Sequence, residues 1–442
     1  LQAVSNLSFA SKILEKVVFK RLNSHKSSNI LCEPFQSAYR SGHSTETALL
    51  RVQNDIQRDI DDGKCVFLVL LDLSAAFDTV SHHILLKRLA NQFGVTGDAA
   101  NWLHSYLTGR TQTISVGEIH SEPAVLQYGV PQGSVLGPIL FSDYSYPIAS
   151  LIKSHGVSVH CYADDTQLYA AFHLNEETEV RAKLENCIGD LRLLMNRNRL
   201  KLNDSKTEFI IFGTNQMLKK VSTESIRVGD VNIKPSNTVL NIGAYFDSEM
   251  KMCPQVKNVC KKAWLNLYNI GKVSGYLTEE QKKTVVHAYV TSKLDGQNAL
   301  LAGAPLVLTS QLQRVQNAAA KLIKKARKFD HVSPLLADLH WLPINHRITY
   351  KILLLTFKAL NNKGPSYLKD LFTFYHPPLD LRSSTDDLTL ITPKTRLVTY
   401  GDRSFSAVAV VEWNKLPLHI RSTDTVSAFK SKLKTHFFQL LA

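Results

Sequence analysis

The chain has 442 residues, 44% hydrophobic and 20% charged, with 20 Gly and 15 Pro; this fits several globular domains and excludes a disordered, collagenous or coiled-coil chain. Lys and Arg number 52 against 38 Asp and Glu, a formal charge of +14, which favours a polyanionic partner, nucleic acid or an anionic membrane surface. Uncharged runs such as 123–142 are broken by Gly, Pro and Gln, so no segment reads as a membrane span. Six Cys are too sparse for a disulfide scaffold and point to a reducing compartment. The chain begins with Leu1, shows no signal peptide, and reads as a piece of something longer.

In chain order, the pattern predicts helices over 4–25 and 44–62. The second opens on Ser44-Thr45-Glu46-Thr47 and sets Leu49, Leu50, Val52 and Ile56 on one side. Residues 65–71 (CVFLVLL) form an apolar run suited to a strand buried on both faces. Residues 81–107 read as helix with a break at Gly94–Gly97, and 111–116 and 124–128 as short strands. Two strands around a tight polar turn are expected over 157–172, an amphipathic helix over 176–198, and short strands at 209–212 and 239–246. Residues 254–330 look largely helical, 373–405 loop-like, and 424–440 helical. No 20–50-residue repeat is present.

The charge is regional. Residues 251–358 hold 17 Lys and Arg against 5 Asp and Glu, a surplus of 12. Within them 314–328 (RVQNAAAKLIKKARK) has helical composition and a cationic end. Cations near a helix C-terminus suit its dipole, but the regional surplus favours a surface that tracks phosphates.

The chemistry concentrates in carboxylates. Asp72 follows the buried run in LLDLSAAFD, and Asp164-Asp165 lie in the turn CYADDTQLY. A carboxylate beside a buried strand is costly unless paired or metal-bound, and two adjacent ones repel. A turn takes Asp readily, yet a hard divalent cation would also resolve the conflict. Residues 129–141 (GVPQGSVLGPILF) add three glycines, Gly129, Gly133 and Gly137, and a lone amide, Gln132. Lys206, in LKLNDSKTE, stands before the strand FIIF, as an exposed turn residue or a phosphate contact.

Taken together, VSNLSFASKILEKVV, FQSAYRSGHSTETALL, LLDLSAAFDTV, GVPQGSVLGPILF, YADDTQLY and NRLKLNDSKTE resemble reverse transcriptases of LINE-type (non-LTR) retrotransposons, in the jockey-like branch. The later LHWLPI, RITYKILLLTFKALN, YGDRSFS and WNKLPLHIRS look like the tail of such proteins, so the resemblance covers essentially the whole chain. It implies an α+β right-hand polymerase fold of fingers, palm and thumb, with an antiparallel palm sheet and a mainly helical basic thumb. The expected division is fingers 1–64, palm 65–250 with interleaved finger segments, thumb 251–358, and a C-terminal region 359–442 of unassigned role.

By the same resemblance, Asp72, Asp164 and Asp165 are the catalytic metal carboxylates, with the Leu73 backbone as a further ligand of two Mg²⁺ ions, for which Mn²⁺ can substitute. The amides of Ser74, Ala75 and Ala76 lie under the triphosphate. Phe77 is the steric gate against a ribose 2′-OH, and Asp78 is structural or catalytic. Gln132 and Gly133 contact nucleotide and template, Arg40 is a finger cation on the triphosphate, and Lys206 is the general acid. Asn241-Ile242-Gly243 falls where the family grips the primer end. The implied activity is RNA-directed DNA synthesis from dNTPs on an RNA template and a DNA primer. It would take place inside the cell, nuclear and cytoplasmic in a ribonucleoprotein, without a membrane and alongside an endonuclease domain.

There are departures. Gln2-Ala3 stand where the family has Arg-Pro, Ser81 where it usually has Asp, and Asp143 interrupts a normally apolar stretch. These leave a second reading open, a non-catalytic relic that binds nucleic acid. A third, an RNA-dependent RNA polymerase, is disfavoured by Phe77. The histidines, including His331, His340 and His346, lack Cys at zinc spacing, and His82-His83 read as helix surface.

Overall fold

A computed structural model of the chain describes residues 7–74, 76–375 and 388–441. Within them the chain forms two compact units. The first takes Leu1–Arg40, Phe67–Phe209 and Ser222–Pro235, the second Ser41–Val66, Ile210–Val221 and Ser236–Ala442.

A four-stranded sheet has the order Glu208–Phe212, β1 (Cys65–Leu71), Asp165–Phe172, Ser158–Tyr162, and its residues Phe67–Leu71, Ser158–Tyr162 and Asp165–Phe172 belong to the first unit. The apolar run predicted as a doubly buried strand is β1, with six of its seven residues buried. Phe67 stacks on Phe172 with centroids 4.1 Å apart and tilts against Phe209 at 5.6 Å. Aromatic packing of this kind adds to the area it buries. After Asp72, β2 (Leu73–Ser74) pairs antiparallel with Lys201–Leu202. Ser158–Tyr162 and Asp165–Phe172 form the expected antiparallel hairpin, and the helix Glu177–Arg197 packs on its second strand. Residues 111–125 break into four two-residue strands.

Helices of this unit start and stop where local chemistry dictates. In α1 (Phe9–Ser28), Ser8 Oγ accepts from Ser11 N at 3.2 Å. Helix α3 (His82–Phe93) ends on Gly94 at φ +64°, and α4 (Gly97–Leu107) follows, so the predicted break is real. His82 corrects the sequence reading. It is 8% exposed, with Nε2 at 2.8 Å from the Gly129 carbonyl, and is not a surface residue.

Asp143, the intruder in an apolar stretch, also finds its reason here. It is buried and ion-paired with the buried Lys26, whose ammonium also lies 5.1 Å from the Phe93 ring centre. Burial still pushes the Asp143 carboxyl up to about 6 against the pull of Lys26.

In the second unit, helix α2 (Thr45–Asp61) starts on a capping box. Thr47 N donates to Ser44 Oγ (3.1 Å) and Ser44 N to Thr47 Oγ1 (2.9 Å). The helices Cys253–Val273 and Leu306–Lys324 pack together. The second stops at Lys324 because Lys325 adopts φ +53°, short of the predicted extent to 328. Lys324 pairs with Glu279 and Asp338, so part of the regional positive charge is neutralised internally. The C-terminal region is folded. Trp413, Phe429 and Leu433 form a core with Leu353 and Phe357 of the helix Ile344–Leu360, which continues past residue 358. Part of the loop expected over 373–405 lies outside the described residues. Residues 391–400 carry no regular helix or strand.

Removing one partner of a buried ion pair leaves the other charge stranded, typically at a cost of 3–5 kcal/mol. Lys26→Met is therefore expected to destabilise by about 3–5 kcal/mol in urea unfolding. Lys26→Met/Asp143→Leu should recover most of the loss. A double variant no more stable than the single would show that the ion pair is not what holds this region.

Candidate active site

The sheet brings the three carboxylates to one end. Asp72 is the residue between β1 and β2, and Asp165 opens the strand that neighbours β1. Asp164 sits in the two-residue turn, beside Ala163. Their charges interact. Asp165 is pushed up to about 6, first by loss of hydration, then by Asp164 and Asp72. Asp164 is also raised, by burial and by Asp72, while its own backbone N–H and Lys206 oppose the shift. Asp72 has two partners: Asn203 Nδ2 at 3.4 Å and Lys206 Nζ at 3.3 Å. Lys206 stands on a single turn of 3₁₀ helix, Asp204–Lys206, with 66% of its side chain exposed.

Ala163 holds φ +58°, a conformation that costs a non-glycine residue about 1–2 kcal/mol. The side chain of Gln36 brackets it, with Oε1 accepting from Ala163 N at 3.0 Å and Nε2 donating to Ala163 O at 3.2 Å. Tyr39, itself at φ +59°, is close enough to Asp164 and Asp165 that their charges add to burial in raising its phenol pKa.

A second layer is built from two loops stitched together. Val130 N donates to Phe77 O (2.9 Å) and Gly129 N to Val80 O (2.8 Å). A side chain on Gly129 would press on the Asp78 backbone at 3.0 Å, and Gly129 is at φ +89°. The Phe77 ring lies 4.8 Å from that of Phe141. Glu15, buried, accepts from the N–H groups of Val135 (2.7 Å) and Leu136 (3.0 Å), which lead into the helix Gly137–Tyr144. Gln132 Oε1 is buried with no hydrogen-bond partner among the described residues, so the loop holds an acceptor ready for a donor from outside.

The other sequence-derived candidates are placed as follows. Leu73 is buried and lines a small cavity with Ala163 and Asp164. Ser74 is paired with Lys201, Ala76 is buried, and Gly133 is at φ +92° in the Gln132 loop. Ala75 lies outside the described residues. Asp78 is exposed. Arg40 Nη1 donates to the carbonyls of Glu33 (2.7 Å) and Gln36 (3.0 Å), so that nitrogen is committed to backbone. Asn241 and Gly243 belong to the second unit, where the hairpin Thr238–Asn241 and Ala244–Asp247 turns at Ile242 and Gly243.

Residues 2–291 match the family model described as "Reverse transcriptase (RNA-dependent DNA polymerase)". The chain belongs to the reverse transcriptase family. Among relatives, it is 28% identical over 272 residues to the probable RNA-directed DNA polymerase from transposon BS of Drosophila melanogaster, covering 60% of this chain and 29% of that protein. It is 31% identical over 160 residues to the RNA-directed DNA polymerase from mobile element jockey of the same fly, 35% of this chain and 17% of that protein. It is 25% identical over 298 residues to the Pol polyprotein from type-1 retrotransposable element R2 of Popillia japonica, 64% of this chain and 39% of that one. The chain thus spans less than half the length of these relatives. The expected kinship with non-LTR retrotransposon polymerases is borne out, as is the α+β class. A telomerase structure from Candida albicans aligns at TM-score 0.41 and 12% identity, over 82% of this chain and 54% of that one.

For a reverse transcriptase the donor set is chemically apt, since three carboxylates and a strand-end carbonyl are hard oxygen donors suited to a divalent cation. Among the described residues no group of three or more His, Cys, Asp or Glu side chains is arranged to hold a metal ion by itself. Such sites need none, because one or two carboxylates and the substrate phosphates complete the shell. Sequence reasoning missed Gln36, His82 and Glu15. The first lay in a quoted motif, but nothing in a linear sequence tells which peptide an amide will meet. No helix of the described residues is long and apolar enough to cross a membrane.

The raised Asp165 has a thermodynamic consequence. An unfolded aspartyl titrates near 4. Between about pH 4 and 6 the folded chain therefore keeps a proton that the unfolded chain releases, so stability falls as pH rises through that window. Without divalent ion, Asp165→Asn is expected to raise Tm above pH 6 and to flatten the decline across that window. Superimposable Tm–pH profiles for the two proteins would refute the raised Asp165 carboxyl.

Proposed function

We propose that this chain carries the polymerase core of a retrotransposon enzyme that extends a DNA primer with dNTPs on an RNA template. The observation that supports it most is the convergence of Asp72, Asp164 and Asp165, mutually repelling, at one end of a buried sheet, with Lys206 against them. Such tension has a use at a site that meets cations and phosphates. Asp72, Asp164 and Asp165, with the Leu73 carbonyl, would hold two Mg²⁺ ions, or Mn²⁺ in their place. When bound, these supply the charge that makes a primer 3′-OH nucleophilic and steadies the departing pyrophosphate.

The chain's own residues do the rest by position. Asp72 and Asp164 orient what they hold because their backbones are fixed by sheet and turn. The Lys206 ammonium, mostly exposed, can give a proton to the leaving pyrophosphate. The amides of Ser74 and Ala76 underlie the phosphates, and Arg40 contributes a cation with the nitrogens that the Glu33 and Gln36 carbonyls leave over. Phe77, backed by Phe141, walls the sugar pocket and rejects a 2′-OH. Gln132 offers its unpartnered oxygen to a base or sugar donor, and Gly133 lets the template pass close.

The division into fingers 1–64, palm 65–250 and thumb 251–358 belongs to the same reading. The thumb helix Cys253–Val273 exposes Lys257, Lys261 and Lys272 beside Trp264 and Tyr268, a face suited to a nucleic-acid backbone. Binding through it should weaken steeply with salt. The setting is intracellular, nuclear and cytoplasmic, with an endonuclease domain acting beside it.

On poly(rA)/oligo(dT) with dTTP and Mg²⁺, the chain is expected to extend the primer. Asp164→Ala should cut the rate by roughly a thousandfold, the several kcal/mol that bound metal contributes. Salt-sensitive duplex binding without extension would instead mark a relic. Phe77→Ala should lower the preference for dTTP over UTP by roughly 10- to 200-fold. An unchanged preference would remove Phe77 from the gate.

A further inference from the structure

We infer that Gln36 is a positioning residue that holds the carboxylate turn in its left-handed conformation and thereby sets the site's affinity for divalent cations; this rests on the polymerase reading above. Residues 35–37 run beside the strand Ser158–Tyr162. Cys161 N donates to Phe35 O at 2.8 Å, Ser37 N donates to Cys161 O at 3.0 Å, and Gln36 forms a parallel bridge with Cys161. Those backbone bonds suffice to dock the segment. The Gln36 side chain does something else. It is 7% exposed and reaches the peptide groups of Ala163, two residues beyond the bridge, giving to its carbonyl and taking from its N–H. Its oxygen also accepts from Ala38 N at 3.1 Å. Two N–H partners on one atom and a carbonyl on the other fix the orientation of the amide.

The residue so held is a strained one. Ala163 at φ +58° directly precedes Asp164 and Asp165, so any relaxation toward ordinary backbone angles swings both carboxylates. Gln36 opposes it without touching substrate or ion. Partners that orient metal ligands in this way typically carry a factor of ten or more in metal affinity.

The test is a double-mutant cycle on the whole chain, with Gln36→Ala, Ala163→Gly and the pair. Two readouts are used: the Mg²⁺ concentration for half-maximal primer extension, and Mn²⁺ binding followed by electron paramagnetic resonance without nucleic acid. Gln36→Ala should raise both the Mg²⁺ requirement and the Mn²⁺ dissociation constant by about tenfold or more. Glycine adopts φ +58° without strain, so adding Ala163→Gly should restore most of the loss. Gln36→Glu keeps the acceptor and loses the donor; it should also weaken Mn²⁺ binding, which covers the case in which Gln36→Ala does not fold. Unchanged ion dependence in the variants, or a loss that glycine does not rescue, overturns the inference. A wild-type chain whose Mn²⁺ binding depends on Gln36 but which does not polymerise refutes the polymerase reading and leaves the clamp standing.

Discussion

Three aspartates of like charge at the end of a buried sheet are the constraint around which the first unit is arranged. Left to electrostatics they would part. They stay together because each is attached to backbone with little freedom to move. Strand β1 is buried along nearly its whole length, and Phe67 is wedged between Phe172 and Phe209. Asp72 leaves it directly into β2, whose pairing with Lys201–Leu202 fixes the direction of exit. Asn203 N donates to the Asp72 carbonyl at 2.9 Å, so the same connection that carries Lys206 also pins the first carboxylate. Asp164 and Asp165 are set by a two-residue hairpin whose strands pair from Ser158–Tyr169 to Tyr162–Asp165. Apolar packing far from the site thus opposes repulsion at it.

The same economy shows in the loops. Segment 77–82 and the glycine-rich segment 129–137 are tied mainly through backbone groups, with His82 adding a side-chain bond to the Gly129 carbonyl. Backbone bonding leaves side chains free for other work. Phe77 is fixed by its own carbonyl and by Phe141, and Gln132 keeps an acceptor with no partner among the described residues. Gly137 is needed because a side chain there would meet Ser134 Oγ and the Pro131 carbonyl. Glu15, from α1, answers the N–H groups at the head of the next helix.

What the sequence made legible was whatever local chemistry decides. The apolar run of β1, the Ser44–Thr47 box, the break at Gly94 and the polar turn between two strands all read correctly, because each depends on neighbours a few residues away. The carboxylates were legible by their conflict with the buried strand beside them. What stayed hidden were partners brought together by the fold. Asp143 looked like an intruder until Lys26, 117 residues earlier, was placed against it. His82 looked exposed because its helix position is silent about the loop that covers it. The C-terminal core around Trp413 takes its other half from the helix Ile344–Leu360, a pairing nothing local in the sequence announces.

Arg40 illustrates how a single residue can serve both structure and chemistry. The family resemblance marks it as a cation for phosphates, yet one of its nitrogens is spent on the carbonyls of Glu33 and Gln36. Those bonds brace the short segment from which Gln36 reaches Ala163, and Ala163 in turn fixes the aspartates. A guanidinium can do this because its donors fan out in a plane, several remaining after two carbonyls are satisfied. A lysine ammonium also has donors to spare, but they radiate from one point and cannot face the brace and a phosphate from separate nitrogens in one plane. Arg40 and the carboxylate turn are therefore not independent features: the bonds from Arg40 to the Gln36 carbonyl and from the Gln36 amide to Ala163 join them.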